Sequence, residues 1–137
     1  MKIGFTCSTF DLLHTGHILM LKEAKENCDY LIVGLQTDPT VDRPEKNKPI
    51  QSLYERIIQL RAVRYIDKII PYTTESELMT ILQTNNINIR FLGSDYIGKN
   101  FTGDILDIQV YYNNRNHNYS TTELRKRILD AETAKTR

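Results

Sequence analysis

Three features of the sequence predict an α/β fold, a doubly wound sheet of about five mostly parallel strands with helices on both faces. Short apolar runs alternate with segments of helical spacing. One run, Tyr30 to Gln36, is almost continuously apolar, as a parallel strand covered on both faces requires, and three helix starts carry an S/T-x-x-E pattern. Crossovers between parallel strands are right-handed, and such sheets bind ligands outside the carboxyl ends of the strands, where strand order reverses.

Ile3 to Cys7 reads as a short buried strand, and the polar loop through Thr9 and Asp11 leads into helical spacing at Leu21, Ala24 and Cys28. The Tyr30 to Gln36 strand completes a first βαβ unit. Thr37 to Gln51 holds three prolines, two lysines and no apolar periodicity, which predicts a long exposed loop of the kind that is commonly functional. Ser52 and Glu55 predict a capping box opening a helix with Leu53, Ile57, Leu60 and Arg64 at helical spacing, the first three facing a core. A strand over Ile66 to Pro71 follows, then a second box at Thr74 and Glu77 ahead of Leu78, Ile81 and Leu82, with Asn85 and Asn86 ending that helix. Ile89 to Leu92 predicts a fourth strand running into Gly93, Ser94 and Asp95, Asp107 to Tyr112 a fifth, and Ser120 with Glu123 a last capped helix. No repeat, low-complexity tract or linker interrupts this order, so a single domain over 1–137 is expected.

Composition narrows the function. Hydrophobic residues at 40% and charged residues at 26% suit an ordinary globular protein, and a formal net charge of +1 gives no overall field for nucleic acid or an anionic membrane. An anionic ligand must therefore be held by a local site. Cys7 and Cys28 are too few for a disulfide framework and lack a C-x-x-C spacing, and the N-terminus lacks the apolar core of a signal peptide, so a soluble cytoplasmic protein with reduced thiols is expected.

The sharpest chemical signal is Thr9-Phe10-Asp11-Leu12-Leu13-His14-Thr15-Gly16-His17, between the first strand and the first helix. A helix starting near Thr15 would turn its free N–H groups and positive dipole end toward the space shared by both imidazoles, which suits a polyphosphate. Gly16 has no side chain to keep a phosphate from the backbone. A pair of histidines alone is equally compatible with two surface residues, but no H-E-x-x-H and no nearby third ligand points to a metal.

The stretch His14-Thr15-Gly16-His17 resembles the H-x-G-H signature of the nucleotidyltransferase superfamily, and the fuller TFDLLHTGH is similar to its cytidylyltransferase branch. Arg115-Asn116-His117-Asn118-Tyr119-Ser120-Thr121-Thr122 resembles the R-x-x-x-I-S-T-T segment of the glycerol-3-phosphate cytidylyltransferases, with Tyr119 in place of Ile. Gly93-Ser94-Asp95-Tyr96-Ile97-Gly98-Lys99 is similar to their G-D-D-W-x-G-K stretch, departing at Ser94 and Tyr96, and Lys46 and Lys48 stand two apart like a lysine pair in the family's corresponding loop. The resemblance runs from Thr6 to about Ile128.

What the resemblance implies is a Rossmann-like fold, Mg²⁺ arriving with CTP, and a homodimer. It assigns catalysis to His14, His17, Lys46 and Arg115, nucleotide binding to Thr9, Phe10, Gly16, Asp95, Ser120, Thr121 and Thr122, and acceptor-binding or supporting roles to Asp11, Lys48 and Arg56. The expected reaction is transfer of CMP from CTP to a small phosphorylated alcohol, glycerol 3-phosphate by default, with release of pyrophosphate and with preorganised positive charge as the main catalytic device. Its rivals are an adenylyltransferase of the same fold, a non-catalytic nucleotide-binding module, and a piece of an aminoacyl-tRNA synthetase; the last is disfavoured by short length and the absence of a basic surface excess.

Overall fold

The structure is a computed structural model that describes residues 1–136. In chain order it forms β1 (Ile3–Ser8), α1 (Thr15–Glu26), β2 (Tyr30–Gln36), α2 (Leu53–Arg61), β3 (Lys68–Tyr72), α3 (Glu75–Thr84), β4 (Ile89–Gly93), β5 (Gln109–Asn113) and α4 (Thr121–Lys135), with a single 3₁₀ turn over Ser94–Tyr96. The five strands make one sheet in the order β3-β2-β1-β4-β5, every pairing parallel. The chain steps outward from β1 to β3, returns past β1 to β4, and so reverses its direction of travel between β1 and β4.

That reversal decides where the helices go. The core on one face gathers Leu21 and Ala24 of α1 and Leu60 of α2 against Leu31, Val33 and Leu35, while the other face packs Leu78, Ile81 and Leu82 of α3 on Phe5 and Ile32. It also opens a crevice. The β1–β2 ladder pairs six residues from Ile3 to Ser8, whereas β1 meets β4 only at Gly4↔Ile89 and Phe5↔Arg90, so the carboxyl halves of these two strands lose their ladder and leave room at the switch point.

Several expectations shift by a residue or two. β3 begins at Lys68 rather than Ile66, since Ile66 N–H is spent on Val63 O in the turn that closes α2 and the ladder with β2 starts at Ile32↔Lys68. β5 is Gln109–Asn113 rather than Asp107 to Tyr112, and α2 stops at Arg61, before Arg64. Of the three S/T-x-x-E pairs, Ser52 with Glu55 alone forms a reciprocal box. The hydroxyls of Thr74 and Ser120 accept from Glu77 N–H and Glu123 N–H, but Glu77 turns to Thr73 N–H and Glu123 to Arg127 instead of closing the pair. No described helix is long and apolar enough to cross a membrane.

Candidate active site

A cavity of about 960 Å³ lies over the switch point. The ends of β1, β4 and β5 form its floor, the starts of α1 and α4 one wall, and the segment after β2 together with the stretch after β4 the other. Eight of the residues singled out in the sequence line it: Thr9, His14, Gly16, His17, Lys46, Arg115, Ser120 and Thr121.

The two histidines are held by the helix they begin. His14 is the N-cap of α1, its Nδ1 accepting from Gly16 N–H at 3.0 Å, while His17 Nδ1 accepts from His14 N–H at 3.2 Å. This is a capping box in which imidazoles replace the usual hydroxyl and carboxylate. The rings lie 3.9 Å apart between centroids, and Phe10, 1% exposed, backs His17 at 5.3 Å. Because each Nδ1 accepts a backbone N–H, each neutral ring carries its proton on Nε2, and a second proton would break the cap.

Their electrostatics agree with that geometry. Burial, then the neighbouring His14, pushes the His17 pKa down to about 3 against the opposing pull of Asp11. Burial and the nearby His117 and Arg115 lower that of His14, with Glu123 opposing. The two neutral rings therefore present directed N–H groups, and the positive charge on the cavity wall comes from arginine and lysine.

The start of α4 reaches the same place. A Cβ built on Gly16 would stand 2.9 Å from His14 Cε1 and 3.1 Å from His117 Cε1, so the chain's three histidines meet around a residue that must lack a side chain. Thr121 Oγ1 donates to Asp11 O at 3.2 Å, His117 Nδ1 accepts from Tyr119 N–H, and Arg115 donates to Tyr119 O.

The loop between β1 and α1 is strained and braced. Phe10 and Leu12 have φ of 49° and 53°, a left-handed conformation that costs of order 1–3 kcal/mol in a non-glycine residue. Asp11 accepts from Ile50 N–H and Gln51 N–H, Gln51 accepts from Leu12 N–H, and Arg56, 2% exposed, donates to the carbonyls of Ser52, Thr9, Gln36 and Thr37. Asp11 and Arg56 are buried braces away from the cavity wall, in keeping with the supporting half of the role expected for them, and Phe10, expected at the nucleotide, is instead buried behind His17 with its ring off the cavity wall.

Lys48, Asp95 and Thr122 also lie off the wall, exposed: Lys48 next to Pro49, where the chain turns back to Asp11, Asp95 in the 3₁₀ turn, and Thr122 one residue past the inward-facing Thr121. Conversely, His117, Arg43, Asn113 and Arg90 line the cavity without having been assigned from sequence. Arg90 carried the clearest signal, a charged residue inside the apolar run Ile89 to Leu92 of a buried strand. Buried polar atoms without a partner among the described residues are Arg90 Nε, Asn113 Oδ1 and Gln59 Oε1, and the first two belong to residues on this cavity.

Comparison with known proteins agrees with the geometry. A family model described as Cytidylyltransferase-like matches residues 5–127. The chain is 35% identical over 129 residues to the glycerol-3-phosphate cytidylyltransferase of Bacillus subtilis (strain 168), covering 93% of this chain and 98% of the relative. To the protein of the same description from Staphylococcus aureus (strain NCTC 8325 / PS 47) it is 32% identical over 129 residues, covering 93% and 96%. It is also 33% identical over 132 residues to the bifunctional protein HldE of Campylobacter concisus (strain 13826), spanning 96% of this chain but 28% of that protein. Among solved structures, the lipopolysaccharide core biosynthesis protein from Thermoplasma volcanium GSS1 shares the fold, with a TM-score of 0.59 over 96% of this chain and 89% of that one at 21% identity.

Proposed function

The chain belongs to the cytidylyltransferase-like family and is a nucleotidyltransferase, and on that premise we propose that it transfers CMP from CTP to a small phosphorylated alcohol, glycerol 3-phosphate by default. An oxygen of the acceptor phosphate attacks the α-phosphorus of CTP, the bond from that phosphorus to the β-phosphate oxygen breaks, and pyrophosphate leaves. No protein nucleophile takes part. The chain's contribution is to align the two phosphates and to stabilise charge developing on the α-phosphoryl oxygens and the leaving group.

One observation carries the reading: the segment leading into α4 meets the start of α1, with His14 and His117 both closing on Gly16 and Thr121 donating to Asp11 O. A triphosphate laid there would receive the Nε2–H groups of His14 and His17 on one side and the hydroxyls and N–H groups at Ser120 and Thr121 on the other. Lys46 and Arg115 supply the charge that neutral imidazoles do not. Asp11 and Arg56 act at one remove, holding the loop that presents His14.

Mg²⁺ is taken to arrive as an ion carried on the triphosphate, as the family resemblance implies, with the cavity's lysine and arginine side chains beside the same phosphates. Bound there it would neutralise the charge of the leaving pyrophosphate. A homodimer in the cytoplasm completes the proposal; Ile128 and Leu129, 50% and 66% exposed on α4, are apolar surface a second copy could cover.

The test is incubation of the purified protein with Mg²⁺, CTP or ATP, and a panel of phosphorylated alcohols, followed by ³¹P NMR. Pyrophosphate and a new CDP-alcohol diphosphate signal are expected with CTP. Consumption of ATP in preference to CTP, or pyrophosphate from neither nucleotide with any acceptor, would contradict the reading.

A further inference from the structure

Among the described residues two arginines are buried, and one of them, Arg56, has its guanidinium satisfied. Arg56 gives its guanidinium to four backbone carbonyls. Arg90 on β4 is 4% exposed, lines the cavity, donates to the single carbonyl of Thr102, and lies 5.1 Å over the ring of Phe101. Its Nε has no partner, Nη2 finds only Cys7 Sγ at 4.0 Å, and no carboxylate lies within ion-pairing distance of it among the described residues.

Burying a guanidinium is costly unless an anion and hydrogen bonds compensate it. The groups around Arg90 do not provide that anion. Burial pushes the Cys7 thiol up, keeping it protonated, and raises Tyr72 as well. The carboxylate of Glu75, also on the cavity, accepts from Thr102 Oγ1 at 2.9 Å and faces Arg43 at 3.8 Å. The histidine wall is a separate side of the same cavity, built on the starts of α1 and α4, whereas Arg90 rises from the middle of β4 beside the segment Asn100 to Thr102. A desolvated guanidinium on a cavity, with Nε unpartnered and only a thiol at 4.0 Å from Nη2, has donors left for an oxyanion of fixed geometry.

We propose that Arg90 binds the phosphate of the acceptor alcohol and thereby selects phosphorylated acceptors, an inference that rests on the nucleotidyltransferase reading above. The nucleotide is then held by the histidine wall and the nucleophile is presented from the Arg90 wall, as in-line attack requires. Arg90 is a substrate-binding group in this account, and its bond to Thr102 keeps the fork pointed at the cavity.

The test is calorimetric titration of glycerol 3-phosphate, inorganic phosphate and Mg²⁺–CTP, each separately, into the wild type, Arg90→Gln and Arg90→Lys, the first two also in the presence of a nonhydrolysable CTP analogue. Arg90→Gln should weaken glycerol 3-phosphate roughly ten- to a hundredfold and leave CTP within about twofold, the range here taken as no change. Arg90→Lys, retaining charge without the fork, should recover part of the loss, and KM for the acceptor should rise where KM for CTP does not. Equal losses for both ligands, a loss for neither, or a wild type that binds no phosphorylated acceptor overturns the proposal; a purely structural Arg90 would show the first pattern with a lowered Tm. Failure of the broader reading looks different, since CTP would then not bind the wild type at all while the phosphate titrations still report on Arg90.

Discussion

The two walls of the cavity use opposite electrostatic devices. On the α1 and α4 side His14, His17, His117, Arg115 and Thr121 are tied to the backbone, the imidazoles of His14 and His17 are neutral, and a strained loop is held from behind by Asp11, Gln51 and Arg56. On the β4 side a guanidinium is buried with its Nε unpartnered, beneath a segment that touches it through one carbonyl and one aromatic ring. The difference teaches that hydrogen-bond direction and charge can be supplied separately. The first wall is complete without ligand and can be rigid; the second is completed by an anion.

Breaking the first wall at its front should have the largest effect. His17→Ala removes one Nε2–H donor from the developing charge, and kcat should fall roughly 10²–10³-fold with little change in KM. Steady-state kinetics showing a raised KM with kcat intact would make His17 a ground-state binder only.

Breaking it from behind should cost folding rather than chemistry. Arg56→Met leaves the carbonyls of Thr9, Gln36, Thr37 and Ser52 without their donor, and urea unfolding should register a loss of roughly 3 kcal/mol. A variant as stable as the wild type would show that water replaces the guanidinium and that the brace is dispensable.

Lowering pH sharpens the contrast. His17 is depressed to about 3 in the fold against an ordinary 6.5, so below pH 6.5 the unfolded chain takes up a proton that the folded chain refuses. Stability present above that pH is lost as pH falls toward 3, with about 2 kcal/mol from this group between pH 6.5 and pH 5. Stability measured across that window should fall in the wild type and fall less in His17→Gln; equal slopes would remove His17 from the pH response.

The smallest effects belong to the exposed loop. Lys46 lines the cavity and Lys48 does not, so Lys46→Ala should lower kcat/KM several-fold, on the order of 1 kcal/mol, while Lys48→Ala stays near the wild type. The reverse ranking in a kinetic comparison would mean that the loop binds substrate in another arrangement.

The fold was legible because its signals are local and redundant: β2 is continuously apolar, Ser52 and Glu55 close their box, and the helical spacing of α3 matches Leu78, Ile81 and Leu82 in the core. The front of the site was legible for the same reason, since His14, Gly16 and His17 lie within one helical turn. Groups acting across the sheet were harder to read. Asp11 and Arg56 sit among motif residues, yet their partners are backbone groups some 40 residues away or more for Asp11–Gln51 and Arg56–Thr9. Arg90 was hidden by its strand, where an apolar run draws attention to the core and away from the one charge within it. Nor does the sequence display which ring nitrogen of His14 or His17 accepts the backbone N–H.

The central claim, that neutral imidazoles at the start of α1 face the nucleotide through Nε2–H, is tested most directly by ¹⁵N NMR of the histidine side chains near neutral pH, with and without Mg²⁺–CTP. The account predicts unprotonated Nδ1 and protonated Nε2 for His14 and His17 in the free protein, with the Nε2 signals moving on nucleotide addition and the Nδ1 signals remaining those of acceptors. Imidazolium signals from either residue, or Nε2 resonances that CTP leaves unmoved, would contradict it.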